Sequence, residues 1–316
     1  MRSIGVVIVT FNSSQYILNC LKSLLESNYY INSKNIIIVD NNSSDETIKL
    51  VSKEYTDIKI VKNSKNLGYA KAVNIGMSFL NEELCLICNP DIEFKKEALI
   101  RLNELFKDKN VVVAGGQQIY ANKKWQRSYG EMPGIKDACF NLFFVATIKN
   151  IFKKIIFERF NIAIVKKITG YLDGAALLVR RDLFEKLEGF DEDYFFYAEE
   201  ADFQFRIRKR NKNYKIMFTS KANFVHIRGG SSTKINQKTT YFQKLLVKAK
   251  LTFVKKNRSS KYIKTYIFFE YLHCMKMYYL YSVLLFFQNK RSDLISKQIF
   301  FFNYSNIWKN YLLENR

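Results

Sequence analysis

The sequence lacks the cysteine framework of a disulfide-rich protein. Its five cysteines are an odd number without regular spacing, which favours a reduced, cytoplasmic setting. The N-terminus also lacks the layout of a signal peptide. No apolar run reaches the roughly 18 residues that a membrane-spanning helix needs, and the longest, 277–287, is too short. These absences exclude a secreted disulfide scaffold and predict a chain without a transmembrane helix.

Acidic residues are scarce. The 316 residues include 29 Asp and Glu against 51 Lys and Arg, so the formal net charge is +22. This excess implies an anionic partner, which could be nucleic acid, anionic lipid or a phosphorylated substrate. Nucleic acid is the least favoured of the three, because the basic C-terminal region has neither zinc-ligand spacing nor glycine-flanked aromatic motifs.

Strand and helix patterns alternate through the first part of the chain. Helical spacing of apolar residues, as in Ile17, Leu21 and Leu24, separates the strands, and a helix is expected at about 95–106. Ser43 and Glu46 have the spacing of a capping box that would open another helix. This alternation predicts a parallel sheet with helices on both faces. The strands are predicted from continuous apolar runs at 4–9, 36–39, 58–61, 84–88 and 111–114.

Polar side chains follow the predicted strands at the points where they end. Asn12, Asp40, Asn42 and Asp91 would all face the carboxyl edge of the sheet, where open α/β sheets bind ligands. Their chemistry predicts a nucleotide pocket, and it is not a Rossmann pocket because no G-x-G-x-x-G follows the first strand. Asp91 follows Asn89-Pro90 and suits a hard cation, although it could instead cap the next helix.

Cys85 and Cys88 have the spacing of a redox or zinc pair. On a strand, side chains three residues apart point to opposite faces. We therefore interpret both as core thiols.

The pattern of alternating strands and helices is weak over 116–168. Within this range, the apolar and basic stretch 141–164 suggests helices or a flexible cover. Order returns with a turn, a buried strand and a short helix over 170–189, and a last strand is predicted at 214–218. Between them, Glu199 and Glu200 open a helix whose Phe203 and Ile207 are expected to face the core.

Seven segments in this order resemble the inverting family 2 nucleotide-sugar glycosyltransferases, and among them the rhamnosyltransferase-type members. They cover about 4–233 and read VVIVTFNSS, IIIVDNNSSD, NLGYAKAVNIG, LICNPD, YLDGAALLVRR, GFDEDYFFYAEEADFQFR and VHIRGGSS. The resemblance implies an α/β fold of the GT-A type, with a mixed, mainly parallel sheet flanked by helices. Its catalytic domain would span 1–239, divided into a Rossmann-like nucleotide-binding half (1–115) and an acceptor half (116–239). A helical, basic and aromatic region would follow at 240–316.

The resemblance also implies roles for individual residues. The nucleoside pocket would be lined by Thr10, Asn12, Asp40 and Asn42. The diphosphate and sugar would lie against Lys65, Asn66 and Gly68, supported by Asn74. A divalent cation, Mn²⁺ or Mg²⁺, would be held by Asp91 and His226. Asn89 stands where the family has the first carboxylate of its metal motif, and supplies only a neutral oxygen. Asp173 would lie near donor sugar or acceptor, or cap a helix.

An inverting transfer also needs a carboxylate that takes the proton of the acceptor hydroxyl. The resemblance assigns this role to Glu200, with Glu199 and Asp202 as alternatives and Asp202 supporting, paired with Arg206 at i+4 spacing. A solvated acidic helix start is the competing interpretation, since the helix dipole favours one.

The C-terminal region combines charge with aromatic residues. Residues 241–264 hold eight basic residues and no acid, interleaved with apolar ones, and 262–302 is dense in Tyr, Phe and Leu. This composition is typical of helices that lie on an anionic membrane surface. The alternative is that the aromatic residues pack on the catalytic domain and only the lysines are solvated.

The sequence therefore predicts a metal-dependent inverting glycosyltransferase, peripheral on the inner face of the cytoplasmic membrane. It would move a sugar from a nucleoside-diphosphate donor, with dTDP-rhamnose suggested by the resemblance, to a glycan or polyprenyl-diphosphate-linked acceptor in surface polysaccharide assembly. One alternative is an inactive membrane-surface binding protein on the same fold. Another is a nucleotidyltransferase, which would need a basic, glycine-rich loop that residues 10–14 do not provide.

Overall fold

The structure is a computed structural model that describes residues 2–160, 162–227, 237–287 and 292–314, without the side chains of 237–240. The chain forms two compact units. The first comprises Met1–Gly130 and Lys154–Thr233, and the second comprises Glu131–Lys153 and Lys234–Arg316. The second unit therefore takes in a segment from the middle of the chain as well as the C-terminal region.

The first unit contains an α/β sheet with its helices. The strands are β1 (Ile4–Thr10), β2 (Ile36–Asp40), β3 (Lys59–Lys62), β4 (Leu84–Cys88), β5 (Ile92–Phe94), β6 (Val111–Ile119), β7 (Tyr129–Gly130), β8 (Val165–Lys167), β9 (Tyr171–Leu172), β10 (Ala176–Arg180) and β11 (Lys215–His226). The helices that accompany this sheet are α1 (Ile17–Leu25), α2 (Thr47–Glu54), α3 (Tyr69–Met77), α4 (Ala98–Leu105), α7 (Arg181–Lys186) and α8 (Glu199–Arg210). Two more, α5 (Ile135–Leu142) and α6 (Val145–Ile155), lie between β7 and β8 in the chain.

The sheet is mixed, with strand order β3-β2-β1-β4-β10-β6-β11-β5 and β8 paired with β11. Strands β1 to β4 are parallel, as the alternation of strands and helices predicts. Strand β10 runs antiparallel between β4 and β6 and interrupts this pattern. Because β10 begins opposite the end of β4, with Ala176 beside Cys88, the turn before β10 lies next to Asn89.

Strand β11 is longer than the sequence predicts. It continues past Phe218 to His226, through an irregularity between Thr219 and Asn223 that bends it away from a simple ladder with β6. Its last residues pair with β5, which occupies positions expected to precede a helix, and place His226 opposite Ile92. The expected helix starts later, at Ala98.

The two faces of the sheet carry separate hydrophobic cores. Cys88 belongs to the core covered by α1 and α4, and Cys85 to the core covered by α3, α7 and α8. Both thiols are buried, so the prediction of core cysteines on opposite faces is confirmed. Phe203 and Ile207 are buried on the α8 side, also as predicted.

The predicted capping box is wrong. The hydroxyl of Ser43 donates to Asp40 at 2.5 Å instead of capping a helix. Helix α2 begins at Thr47, and its first N–H is accepted by Asp45 at 3.0 Å. Ser43 therefore belongs to the loop that orders the end of β2, and Glu46 makes no side-chain cap.

The second unit is helical. It contains α5, most of α6, and the C-terminal helices α9 (Gln237–Asn257), α10 (Ser260–Phe287) and α11 (Ser292–Glu314). The apolar residues that interleave with the lysines of α9 face inward: Val247, Leu251 and Val254 are buried, whereas Lys248 is exposed. Among the described residues, no helix combines the length and the apolarity that crossing a membrane would require.

An asparagine in the middle of α3 fastens the loop before α8. Asn74 donates to the carbonyl of Phe190 at 2.8 Å and accepts from the N–H of the same residue at 2.9 Å. This reciprocal pair holds the loop that leads from Gly189 to α8.

We predict that Asn74→Ala lowers the free energy of unfolding by about 2 kcal/mol, because it leaves two backbone groups of Phe190 without partners. Urea denaturation measures the loss. The matched control is Asn19→Ala, which removes an exposed amide on α1 bonded to Glu93 at 3.3 Å. Its effect should stay within about 0.5 kcal/mol. Equal losses in the two variants would contradict the bracing role of Asn74.

Candidate functional site

The ends of β1 and β2 form one polar cluster. Asp40 is buried, and its Oδ1 accepts from the hydroxyl of Thr10 at 2.8 Å. The backbone N–H of Ser43 donates to its Oδ2 at 2.9 Å. The structure therefore brings Thr10 and Asp40 together, as the resemblance implies, and holds the carboxylate in one orientation.

Two asparagines in this cluster adopt left-handed backbone conformations, Asn12 with φ 52° and Asn42 with φ 65°. Asparagine tolerates this region better than most residues. The side-chain oxygen of Asn12 accepts from the N–H of Ser44 at 2.8 Å, which joins the two loops. Asn42 is exposed at the rim.

Asn41 was missed by the sequence analysis. It is buried, donates to the carbonyl of Gly68 at 3.1 Å and accepts from Asn63 at 2.9 Å. It thus ties the end of β2 to the loop before α3. The sequence analysis chose Asp40 and Asn42 as polar residues at a strand end and did not choose Asn41, whose side-chain direction depends on the conformation of the loop that follows β2.

The loop before α3 depends on a glycine. Gly68 has φ +87°, and a Cβ there would lie 2.6 Å from the carbonyl oxygen of Phe195. The side chain of Asn66 accepts from the N–H of Gly68 at 3.0 Å, and the N–H of Tyr69 donates to Phe195 at 2.7 Å. The N-terminus of α3 is therefore packed against the chain that leads into α8. Lys65 is exposed beside this loop.

Asp91 and His226 lie side by side. The Nε2 atom of His226 is 3.5 Å from Oδ1 of Asp91, and its Nδ1 is 2.7 Å from the side-chain oxygen of Gln118. When Nδ1–H donates to Gln118, the neutral ring directs its Nε2 lone pair at the carboxylate. Two electron-rich atoms at this separation suit a shared cation, and an outer hydrogen bond of this kind is common for a metal-ligating histidine.

The donor set at this position is small. Asn89 lies close by, with its N–H bonded to the carbonyl of Ala175 at 2.9 Å. Within the described ranges, no group of three or more His, Cys, Asp and Glu side chains could hold a metal ion. Asp91 and His226 could therefore supply two ligands, and a cation bound there would take its other ligands from a diphosphate or water.

Glu199 and Glu200 are the first two residues of α8. The backbone before them is strained, because Tyr197 and Ala198 have positive φ angles of 74° and 66°. The Oε2 atoms of both glutamates are buried and have no hydrogen-bond partner among the described residues. Burial raises the pKa of Glu199 well above its usual value, and the charge of Glu200 adds to this effect. The interpretation as a solvated acidic helix start does not fit these side chains.

The pKa of Glu200 is raised to about 7, first by burial and then by the charge of Asp173, while Arg127 lowers it. Gly174 lies directly against this side chain, since a Cβ there would be 3.4 Å from the Cβ of Glu200. Gln204 holds the preceding strand β9 through bonds of 2.8 and 2.9 Å to the N–H and carbonyl of Leu172. The start of α8 and the Asp173–Gly174 turn are thus fixed together.

Tyr69 connects the two halves of the site. Burial raises the pKa of its phenol well above the usual value, and the charges of Glu199, Glu200 and Asp91 act in the same direction. The hydroxyl lies 3.5 Å from the carbonyl oxygen of Gly174. The phenol thus lies at the Asp173–Gly174 turn, which packs against Glu200. The same turn is bonded to Asn89, two residues before Asp91, through the carbonyl of Ala175.

Asp202 has a different environment. Its carboxylate is buried and forms the i+4 ion pair with Arg206 at 2.6 Å that the sequence indicates. Arg206 also donates to the carbonyls of Leu187 and Gly189 at 2.5 and 2.8 Å. Asp202 thus braces the loop before α8, which leaves Glu200 and Glu199 as the candidates for the base.

The structure separates the predicted site residues into a central group and an outlying group. Asn74 and Asp202 are outliers whose side chains hold the loop before α8. A surface hollow of about 710 Å³ is lined by Asn74, Asp191, Arg206 and Lys209 among others. Among the described residues of its lining, Asn74 is the one predicted site residue. The central group is Thr10, Asn12, Asp40, Asn66, Gly68, Asn89, Asp91, Asp173, Glu199, Glu200 and His226, extended by the unpredicted Asn41, Tyr69, Gln118 and Arg127. Asn42 and Lys65 are exposed on the loops that carry this group.

Comparison with known proteins gives relatives with glycosyltransferase names. The low-salt glycan biosynthesis hexosyltransferase Agl10 of Haloferax volcanii is 23% identical over 228 residues, which are 67% of this chain and 64% of that protein. The N-acetylglucosaminyl-diphospho-decaprenol L-rhamnosyltransferase of Mycobacterium tuberculosis is 23% identical over 232 residues, which are 65% of this chain and 70% of that protein. The aligned region thus spans about two thirds of each relative.

Solved structures share the fold. The mannosyltransferase PcManGT from Pyrobaculum calidifontis, in complex with GDP-Man and Mn²⁺, superposes with a TM-score of 0.60 at 14% identity, over 99% of this chain and 87% of that one. GalNAc-T7 with UDP, GalNAc and Mn²⁺ gives 0.56 at 16% identity, over 78% and 47%. Residues 5–188 match the model of "Glycosyl transferase family 2". With more than half of its length covered by that model and GT-A glycosyltransferases as its structural neighbours, the chain belongs to glycosyl transferase family 2.

Proposed function

We propose that the protein is a metal-dependent inverting glycosyltransferase that moves a sugar from a nucleoside-diphosphate donor to a hydroxyl group of a glycan or lipid-linked acceptor. The observation that carries this proposal is the turn at Asp173–Ala175. The carbonyl of Ala175 accepts from the N–H of Asn89, two residues before Asp91, and Gly174 packs against Glu200. An inverting transfer needs a diphosphate site on one side of the sugar and a base on the other. In our proposal, Asp91 belongs to the diphosphate site and Glu200 is the base.

The donor would bind across the carboxyl edge of β1, β2 and β4. Asp40 and Thr10, with Asn12 and Asn42, would hold the nucleoside, and Asn66, Gly68 and Lys65 would border the diphosphate and sugar. A divalent cation held by Asp91 and His226 would neutralise the negative charge that develops on the departing nucleoside diphosphate. Two glycosyltransferases with this fold contain Mn²⁺ together with a nucleotide or nucleotide sugar, which supports a cation here.

Glu200 is the proposed base. A carboxylate with a pKa near 7 accepts a proton more strongly than an ordinary glutamate and is still substantially ionised at neutral pH. Glu199 is more deeply buried, and burial together with the charge of Glu200 raises its pKa well above the usual value, so it is the less suited of the two as a base. The charge of Arg127 lowers the pKa of Glu200. Arg127 would therefore favour the ionised form of Glu200, which takes the proton from the acceptor hydroxyl. Asp173, beside Glu200, would border the donor sugar or the acceptor hydroxyl.

Rhamnose and a polyprenyl-diphosphate acceptor are the proposed substrates, supported by the similarity to an N-acetylglucosaminyl-diphospho-decaprenol L-rhamnosyltransferase. A lipid-linked acceptor would place the protein peripherally on the inner face of the cytoplasmic membrane, in surface polysaccharide assembly. An inactive binding protein on the same fold is the weaker alternative. Each of the two glutamates holds a buried carboxylate oxygen without a hydrogen-bond partner among the described residues, which costs stability and has no structural benefit in a scaffold without catalysis.

We predict that Asp91→Ala abolishes the rise in melting temperature that Mn²⁺ and a nucleoside diphosphate together give the unmutated protein. A ligand that binds only the native state raises its stability, and this variant loses a cation ligand. Differential scanning fluorimetry across UDP, dTDP and GDP, with and without chelator, measures the effect. Asp57→Ala, at an exposed position, is the matched control and should keep the full rise. A metal-dependent rise retained in Asp91→Ala would rule out the role of Asp91.

We predict that Glu200→Gln lowers turnover at least about 100-fold while donor affinity stays nearly unchanged, because it removes the base and leaves the diphosphate site intact. Release of dTDP from dTDP-rhamnose, with N-acetylglucosaminyl-diphospho-polyprenol as acceptor, gives the rate. Glu54→Gln, exposed at the end of α2, controls for the loss of one negative charge. An unchanged rate in Glu200→Gln would assign the base elsewhere, with Glu199→Gln as the next variant to measure.

The raised pKa of Glu200 also predicts how stability changes with pH. The folded protein binds this proton more tightly than the unfolded chain, so stability decreases as the pH rises from about 4.5 to about 7 and Glu200 ionises. Glu200→Gln removes this penalty and should be more stable than the unmutated protein at pH 8, with little difference at pH 4.5. Urea denaturation at the two pH values measures it. A variant that is less stable at pH 8 would contradict the raised pKa of Glu200.

A further inference from the structure

Helix α6 differs from the helices that cover the sheet because none of its residues is buried. Ile148, Ile151, Phe152 and Ile155 are 51%, 51%, 62% and 41% exposed. Their i, i+3, i+4, i+7 spacing puts them on one face of the helix. In α1, which belongs to the sheet, residues of the same type and spacing such as Ile17, Leu21 and Leu24 are fully buried.

The apolar face continues into the residues before the helix. Phe143 is 66% exposed and precedes α6 by two positions. Contiguous exposed apolar surface of this kind marks an interaction site in proteins that are otherwise well packed. This face does not pack in a hydrophobic core, because its apolar side chains are exposed to solvent.

Lysines flank the apolar face on both sides. At 100° per residue, Lys149 and Lys154 lie about 110° to either side of the centre of the stripe, Lys153 lies on the polar face, and the helix itself contains no acidic residue. Lys149 lies 3.9 Å from Glu131, and Lys154 lies 4.0 Å from Glu158. These two pairs are long and solvent-exposed, and such pairs contribute little.

Lysine stems can run along an apolar surface while the ammonium groups reach a polar layer. A helix with a strongly apolar face between basic flanks fits the boundary between lipid headgroups and acyl chains. The length of α6, roughly 16 Å, suits a position in the plane of the bilayer. Headgroup phosphates complement the lysines, whereas a protein groove would need acidic residues placed on both sides of an apolar slot.

We propose that α6 is a membrane-docking element of this protein, and that its apolar face inserts into the headgroup region of an anionic bilayer with Lys149 and Lys154 on lipid phosphates. The inference rests on the proposed peripheral location and names the surface that makes the contact. The sequence favours the region 241–302 for this role. In that region α9 buries Val247, Leu251 and Val254, whereas the exposed Phe286 and Phe287 at the end of α10 have no lysine among residues 277–287 beside them.

Co-sedimentation of the full chain with vesicles tests the proposal in the absence of any nucleotide. Vesicles of phosphatidylglycerol and phosphatidylcholine are compared with vesicles of phosphatidylcholine alone. We expect the unmutated protein to bind the anionic vesicles, and Ile151→Glu with Phe152→Glu to weaken this binding at least tenfold. The matched control carries Tyr30→Glu with Tyr120→Glu, two exposed aromatic positions of the first unit, and should bind like the unmutated protein.

A fluorescence measurement separates insertion from electrostatic attraction. In Phe152→Trp, we expect the tryptophan emission to shift to the blue when anionic vesicles are added, and the shift to persist in high salt once the helix has inserted. Full binding of the Ile151→Glu, Phe152→Glu variant would overturn the role of α6 while leaving the peripheral location in place. Failure of the unmutated chain to bind anionic vesicles would overturn both. Conversion of a dimer to a monomer by this variant in lipid-free solution, measured by light scattering, would assign the face to a second copy and overturn the proposal.

Discussion

The antiparallel strand β10 is the constraint on which the proposed site depends. Parallel strands β1, β2 and β4 end at one edge of the sheet, and they bring Asp40 and Asp91 to that edge. A further parallel strand would end there too and add another strand-end loop. Because β10 instead starts at this edge, the turn that precedes it, Asp173–Gly174, lies beside Asn89 and against Glu200. One reversal of strand direction thus joins the nucleotide-binding half of the sheet to the start of α8.

The surroundings of α8 show how a destabilising group is held in place. The Oε2 atoms of Glu199 and Glu200 are buried without hydrogen-bond partners among the described residues, and the chain reaches them through two residues with positive φ. Two further contacts hold the same helix in place: the ion pair of Asp202 with Arg206, and the two hydrogen bonds of the Gln204 side chain to the backbone of Leu172. A raised carboxylate pKa persists only where the fold prevents the side chain from moving into water. The structural bonds of α8 therefore support the chemistry proposed for its first turn.

Much of this arrangement follows from local sequence patterns. The apolar runs of β1, β2 and β4 and the polar residues after them predict the strands and the edge at which a ligand would bind. The resemblance indicated a mixed sheet, but local patterns did not identify β10 as the reversed strand, because a run of buried apolar residues carries no information on strand direction. The extension of β11 to His226 was missed since its irregularity near Thr219 breaks the alternation. The resemblance to a family, and not periodicity, indicated that His226 would meet Asp91.

Polar residues were the least predictable part. Asn41 and Ser43 lie in a loop where side-chain direction depends on turn geometry. The spacing of Ser43 suggested a helix cap, but its hydroxyl donates to Asp40 instead. The apolar stripe of α6 was visible as an apolar, basic segment, but periodicity cannot distinguish a face that packs on the core from one that stays in solvent. Only the burial of each residue in the folded chain separates the two.

In the proposed mechanism, a diphosphate-bound cation at Asp91 and a base at Glu200 share one cleft. This can be tested by a crystal structure with Mn²⁺ and a nucleoside diphosphate, recorded at a wavelength where manganese scatters anomalously. We expect an anomalous peak bonded to Asp91 Oδ1 and His226 Nε2, with the carboxylate of Glu200 facing the same cleft across the space for one sugar. A manganese peak bound elsewhere, or a wall of protein between that peak and Glu200, would contradict it.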